Sequence, residues 1–188
     1  MSIYLSIDVA TKSLALGLYR IDLKSDDIDQ CIYPIAMNVY DLDPTKSAKD
    51  MTVSDKARSL RRVLDEFDRQ IPEGASFKVL IEYQMNANHM SNIIFNMIVY
   101  HYAERAEVHT VFPSLKNSIY LHQSLKLSDF LATASSNYSA NKNHCKYNFL
   151  YFVYTFGHQD RIKHIKRKNL DDISDTFMQC IAFHRTLK

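Results

Sequence analysis

Four acidic residues stand at positions where a folded chain could use them for chemistry. Asp8 and Glu82 each end a short apolar run that predicts a buried strand. Asp172 and Asp175 are three residues apart in the last predicted helix, so they lie on one face of it. A carboxylate at the end of a buried strand avoids the cost of full burial only when it is paired, protonated or bound to a metal ion.

Carboxylate oxygens are the ligands that Mg²⁺ prefers, and two such ions about 4 Å apart can hydrolyse a phosphodiester. Without cations, the four negative charges would raise one another's pKa values. Each acid also has a structural explanation: Asp8 could cap a turn, and Glu82 could pair with a surface lysine. Asp171 and Asp172 could simply begin a helix, where acids are favoured. The combination of the four predicts a site for two Mg²⁺ ions, for which Mn²⁺ would substitute.

Hydrophobic patterning predicts the elements that would bring these acids together. Five apolar segments predict strands, the first three as an antiparallel meander: residues 3–8, 14–21, 31–40, 77–82 and 107–112. Helical periodicity predicts five helices: residues 54–71 with Ser54 as N-cap, 91–104, 124–134, 148–156 and 170–186. The polar stretch 135–147 shows no buried periodicity and predicts a loop. This order predicts one α/β domain over residues 1–188, with a mixed sheet and helices on both faces.

Composition excludes several other kinds of site. The chain has only three glycines, too dispersed for a dinucleotide fingerprint or a P-loop, so no organic cofactor is expected. No apolar run approaches the roughly 18 residues of a membrane span. The three cysteines have no close pairing, and no leader precedes the first strand, which favours a reducing compartment.

Four segments resemble the RuvC-type Holliday junction resolvases, and most of all their poxvirus branch. They are SIDVATKS at 6–13, VLIEYQ at 79–84, FPSLKNSIY at 112–120 and NLDDISDTF at 169–177. Together they anchor the chain from residue 3 to about residue 183. The last segment is the most specific of the four. One departure is Ala10, which replaces the family glycine after the first aspartate and cannot enter positive-φ conformations cheaply.

The resemblance implies an RNase H-like fold and assigns the metal ligands to Asp8, Glu82, Asp172 and Asp175. The same four acids would then be catalytic, together with a basic residue that stabilises charge on the scissile phosphate. The Arg/Lys run that follows the tyrosine in poxvirus enzymes is absent here. Lys116 and Lys126 therefore both remain candidates for that role.

A basic block between residues 161 and 168 is predicted to contact the DNA backbone. It contains Arg161, Lys163, Lys166, Arg167 and Lys168, with no acid among them. Lys12 and Lys116 could add to the same face. Phosphate contacts should dominate because four-way junctions are read by shape rather than by base sequence. The alternative is a solvated run of charge.

The activity implied by the resemblance is two-metal hydrolysis of four-way DNA junctions during viral genome replication or recombination, in the cytoplasm. Symmetric cutting of two strands implies a homodimer with two-fold symmetry. The predicted helix at 91–104 is apolar on more than one face, so it could pack on both the sheet and a partner, or be a fully buried core helix. Two other functions stay open: an RNase H-like nuclease on other branched DNA or RNA–DNA hybrids, and a non-catalytic junction-binding protein.

Overall fold

The computed structural model describes residues 2–22, 31–83 and 89–187. Its strands are β1 (Ser2–Val9), β2 (Ser13–Ile21), β3 (Ile32–Asp41), β4 (Phe77–Glu82) and β5 (Glu107–Val111). They form one sheet in the order β3-β2-β1-β4-β5. The first three strands pair antiparallel, whereas β4 is parallel to both β1 and β5. The predicted mixed five-stranded sheet is confirmed.

The helices pack on both faces of this sheet. They are α1 (Val53–Asp68), α2 (His89–Tyr102), α3 (Leu127–Thr133), α4 (Asn137–Thr155) and α5 (Leu170–Thr186). Four 3₁₀ turns connect them: Pro113–Ser118, Gln123–Leu125, Gln159–Arg161 and Arg167–Asn169. Within the described ranges, no helix is both long and apolar enough to cross a membrane.

The sheet separates two hydrophobic cores, and strand alternation decides which side chains enter which core. On β1, Leu5 and Ile7 pack in the core shared with α1 and α2, whereas Tyr4 packs in the core shared with α4 and α5. Asp8 lies four residues beyond Tyr4 on the same strand. Its side chain therefore leaves the sheet on the side covered by α5.

The helix α5 lies close to the sheet at Gly17 of β2. A Cβ atom at this position would lie 2.6 Å from Thr176 Oγ1 and would also overlap the Tyr19 ring. The Tyr19 hydroxyl and Thr176 Oγ1 share a hydrogen bond of 2.9 Å. Since Thr176 follows Asp175 directly, the absence of a side chain at residue 17 helps to set the distance between that acid and the sheet.

Two predictions about helices were wrong. The N-cap of α1 is Thr52 rather than Ser54, because Thr52 and Asp55 form a capping box in which each side chain bonds the other residue's backbone N–H. The stretch 135–147 is not a loop, because α4 begins at Asn137 behind Ser136, whose Oγ accepts the Ser139 N–H at 3.2 Å.

Candidate active site

The two strand-end acids lie side by side at one edge of the sheet. Strands β1 and β4 are parallel with Ile7 opposite Ile81, so Asp8 and Glu82 follow at the same level. Leu80 packs in the core on the α5 side, and Glu82 is two residues further along the strand. Both carboxylates therefore point towards α5.

The first turns of α5 bring the helical acids to this edge. The helix buries nearly every residue from Ile173 to His184, and Asp175 is only 5% exposed. Asp172, one turn earlier, is half-buried. The Asp175 carboxylate therefore lies inside the protein, whereas that of Asp172 lies at its margin.

Lys116 links the sheet edge to α5. It lies in the 3₁₀ turn that follows β5, and its side chain is buried. Its Nζ donates to Glu82 Oε2 at 2.7 Å and to Asp175 Oδ1 at 3.0 Å. The structure thus joins a residue from β4, one from the 3₁₀ turn and one from α5 by direct ion pairs.

A second lysine, which the sequence did not single out, also reaches this cluster. Lys142 of α4 forms an ion pair with Asp175 Oδ2, and its Nζ lies 3.9 Å from Asp172 Oδ1. Sequence reasoning missed Lys142 because it lies in the stretch that was predicted as a loop. One signal was present: Ala140, His144 and Asn148 are buried at four-residue spacing, although only alanine among them is apolar.

Burial and the neighbouring charges shift the pKa values of Asp8 and Asp175 in opposite directions. Burial, and then the negative charges of Asp175 and Glu82, raise the pKa of Asp8 from its usual 3.8 to about 7, although Lys142 and Lys116 oppose the change. Burial alone would raise the pKa of Asp175, but the two lysines lower it below its ordinary value. Asp8 therefore lies in an excess of negative charge, whereas Asp175 is neutralised.

The donor set fits divalent cations. Four carboxylates are the oxygen ligands that Mg²⁺ and Mn²⁺ prefer, and Asp8 has only longer-range electrostatic interactions with the other charged groups in the described part of the chain. No three of the four acids place ligand atoms within 4.8 Å of one another in the described ranges. Within these ranges the ligand oxygens of the four acids are therefore not gathered around a single point.

A separate group, Asp65, Asp68 and His101, does place three ligand atoms within 4.8 Å of one another. Asp68, however, already accepts hydrogen bonds from Arg105 at 2.6 Å and from the Tyr102 hydroxyl at 2.8 Å. These bonds hold α1 and α2 together, so we assign no metal to this group.

The β1–β2 turn beside Asp8 accommodates Ala10 without strain. The Ala10 N–H donates to the Ser13 carbonyl at 3.1 Å, and within the described ranges no residue other than glycine has a positive φ. The buried Lys56 of α1 donates to the Thr11 carbonyl at 2.8 Å and fixes the turn from the other side. The turn therefore does not need the family glycine.

Of the two candidate catalytic lysines, only Lys116 contacts the acids. Lys126 lies with its Nζ 5.3 Å from the centre of the Tyr120 ring, a cation–π contact. Lys126 directly precedes α3, and its side chain packs on Tyr120 rather than on the acids. Lys116 is the lysine that the structure places among the acids.

The basic residues divide into two groups. Lys12, Lys166 and Lys168 line a groove of about 490 Å³ that also reaches Asp172. Arg161 instead donates to the Tyr33 hydroxyl and to the Ile35 carbonyl on the edge of β3. Lys163 pairs with Asp160 at 2.5 Å, and Arg167 is exposed in the 3₁₀ turn before α5. The groove is the basic surface that adjoins the acids.

Comparison with solved structures identifies the class of fold. The chain has the RNase H-like α/β fold of RuvC-type resolvases, which confirms the resemblance seen in the sequence as a likeness of fold. The fowlpox virus resolvase in its complex with substrate Holliday junction DNA matches with a TM-score of 0.59 and 19% identity, over 98% of each chain. Thermus thermophilus RuvC matches with a TM-score of 0.56 and 14% identity, over 98% of this chain and 96% of that chain. No family model and no curated protein sequence matches.

Replacing Asp8 with Asn should stabilise the metal-free protein at neutral pH. Because the pKa of Asp8 is raised in the folded protein, the folded state favours the protonated side chain. The resulting stability is fully present below about pH 4 and is lost as the pH rises through about 7. We expect Asp8→Asn to be more stable than wild type at about pH 8 by roughly 1 to 3 kcal/mol, with no advantage near about pH 4. Thermal denaturation in EDTA across this range measures the difference.

Asp55→Asn is a control of the opposite sign. Hydrogen bonds from Lys46, Thr52 and Arg58 lower the pKa of Asp55, so its contribution is present at neutral pH and is lost as the pH falls. This variant should be less stable than wild type at about pH 8. An Asp8→Asn protein that is also less stable there would contradict the excess of negative charge.

Proposed function

We propose that the protein is a Mg²⁺-dependent endonuclease that resolves four-way DNA junctions. The observation that carries the proposal is that Lys116 pairs with acids from β4 and α5, with Asp8 of β1 in electrostatic range, beside a basic groove. The likeness in fold to a resolvase solved with Holliday junction DNA supports the choice of substrate. It also supports a viral role in genome replication or recombination, and hence a cytoplasmic site of action that immunofluorescence of infected cells would test.

The chain's own residues would perform three tasks in this reaction. Asp8, Glu82, Asp172 and Asp175 would hold two divalent cations, which when bound would supply an activated water and neutralise charge on the leaving oxygen. Lys116 would bind a non-bridging oxygen of the scissile phosphate, where its fixed positive charge stabilises the transition state. The burial of Asp175 and Lys116 would strengthen the electrostatic interactions of these two residues.

The basic groove gives the DNA a path to the acids. Lys12, Lys166 and Lys168 would bind backbone phosphates on the β2–β3 side of Asp172. Arg167 precedes α5 and is exposed, so it could extend the path. Phosphates held in this groove would pass Asp172 before they reach the buried acids.

Replacing Asp172 with Asn should abolish cleavage of a synthetic four-way junction in Mg²⁺. The change removes one ligand charge at the half-buried margin of the cluster, so the fold should be retained. We expect the rate to fall by at least about a hundredfold, since even supporting residues of a metal site contribute 10- to 100-fold. A gel assay of strand cleavage, with circular dichroism as the folding check, measures both.

The same assay separates the competing functions. Wild-type protein should cut a four-way junction faster than a linear duplex or an RNA–DNA hybrid. Preferential cutting of the hybrid would favour an RNase H-like nuclease. Tight junction binding with no cleavage in Mg²⁺ or Mn²⁺ would identify a non-catalytic binding protein.

Replacing both Lys166 and Lys168 with Gln should weaken junction binding and its dependence on salt. Loss of two phosphate contacts is expected to reduce the slope of log K against log[salt] by about 2 and to cost roughly tenfold in affinity. Fluorescence anisotropy at several salt concentrations, in EDTA, measures both quantities. Lys78→Gln is the matched control, because Lys78 pairs with Glu107 at 2.6 Å at the opposite end of β4 and β5. An equal loss in the control would argue against the groove.

We also propose a homodimer, because symmetric cutting of two strands needs two sites. The face of α2 that bears Ile94 and Ile98 is buried against the sheet, whereas Tyr100 is 87% exposed. Tyr100 and Met97 border a cavity of about 470 Å³ between α1 and α2. This surface is the proposed contact between the two copies.

Replacing Tyr100 with Glu should therefore shift the protein from dimer towards monomer, because two charges would meet across the two-fold axis. Sedimentation velocity in EDTA measures the distribution. Tyr154→Glu on α4, where Tyr154 is 63% exposed, is the control and should leave the dimer intact. A wild-type protein that sediments as a monomer at micromolar concentration would contradict the proposed interface.

A further inference from the structure

Both oxygens of the Asp175 carboxylate are already bound by ammonium groups. Lys116 Nζ lies 3.0 Å from Oδ1, and Lys142 Nζ binds Oδ2. The ammonium of Lys142 is also 3.9 Å from Asp172 Oδ1. A cation that binds to Asp175 must therefore displace or share at least one of these ion pairs.

The pairing of Lys142 has a structural cause. A buried carboxylate is costly unless a charge partner compensates for its lost hydration, and Asp175 is almost fully buried. The helix α4 packs along α5 and supplies this partner. One turn further on, Lys146 of α4 pairs with Asp171 Oδ1 at 2.9 Å. Both lysines of α4 thus form ion pairs with α5, but only Lys142 pairs with acids of the candidate active site.

We propose that Lys142 is an internal counterion that holds Asp175 in the metal-free protein and sets the cation concentration at which the site fills. The inference rests on the proposed function, because that function assigns the Asp175 oxygens to divalent cations. Lys142 is accordingly a positioning residue whose charge competes with the cations for the same ligands. Its removal has opposite effects on the two states: it destabilises the metal-free protein and tightens cation binding.

The sign of this effect distinguishes Lys142 from a metal ligand. Loss of a ligand weakens cation binding, whereas loss of a competing positive charge strengthens it. A unit charge about 4 Å from a divalent ion corresponds to an affinity change of roughly thirtyfold even at the dielectric constant of bulk water. The effect is measurable without DNA and without turnover.

The experiment titrates full-length protein with Mn²⁺ and follows free Mn²⁺ by electron paramagnetic resonance. We expect Lys142→Met to bind Mn²⁺ at least about tenfold more tightly than wild type. Lys142→Arg, which keeps the charge, and Lys146→Met, which removes a charge one turn away, should both bind as wild type does. Asp175→Asn should bind more weakly, which identifies the site.

Thermal denaturation gives the second readout. Lys142→Met should melt below wild type in EDTA and should gain more from saturating Mn²⁺ than wild type gains. If this variant does not fold, Lys142→Gln, which removes the same charge, is used instead of Lys142→Met in both measurements.

Unchanged or weaker Mn²⁺ binding by the charge-removed variant would overturn the counterion role, even if wild type binds Mn²⁺ and cleaves junctions. An equal gain of affinity in Lys146→Met would also overturn it, because the effect would then come from general surface charge. A wild-type protein that binds no Mn²⁺ would instead remove the cation site itself, and with it the metal part of the proposed function.

Discussion

The buried carboxylate of Asp175 is the constraint on which the rest of the site depends. A charge in that position is tolerated only because Lys116 and Lys142 reach it from two other elements. The elements that carry these lysines are the 3₁₀ turn after β5 and the helix α4. Their positions are therefore coupled to α5 by electrostatics as well as by the packing of Phe149 and Phe177. Stability and candidate function thus depend on the same ion pairs.

The geometry of the sheet accounts for the other half of the site. Parallel pairing of β1 and β4 puts Asp8 beside Glu82, and strand alternation turns both towards α5. Gly17 and Thr176 let the helix lie close enough to the sheet for the acids to meet. An acid cluster assembled in this way has little freedom to relax when its charges repel, because every member sits on a strand or a packed helix. Burial of Asp8, and then this repulsion from Asp175 and Glu82, raise its pKa.

The sequence predicts a strand, a helix or a site residue well only where the element has a regular pattern of apolar residues. All five strands and α5 carry clear apolar patterns, and the acids at their ends could be found from them. The second half of α4 was predicted as the helix at 148–156, but the first half was not, because its buried face includes His144, Cys145 and Asn148. Asn148 is buried at little cost: its side chain accepts the Leu121 N–H at 2.7 Å and donates to the Leu125 carbonyl at 3.1 Å. Hydrogen-bond partners from a distant loop do not show in the local hydrophobic periodicity, so Lys142 was missed together with the first half of its helix.

The net charge of the chain is only +2, but opposite charges are concentrated on two neighbouring surfaces. The acid cluster alone would repel a phosphate, and two lysines do not neutralise four carboxylates. The groove contains Lys12, Lys166 and Lys168, and it adjoins the cluster at Asp172. Under the proposed function, phosphates would bind in this groove, and the cluster would admit a phosphate only when divalent cations had added positive charge. This separation would let the acids be close enough to hold cations without preventing the approach of the substrate.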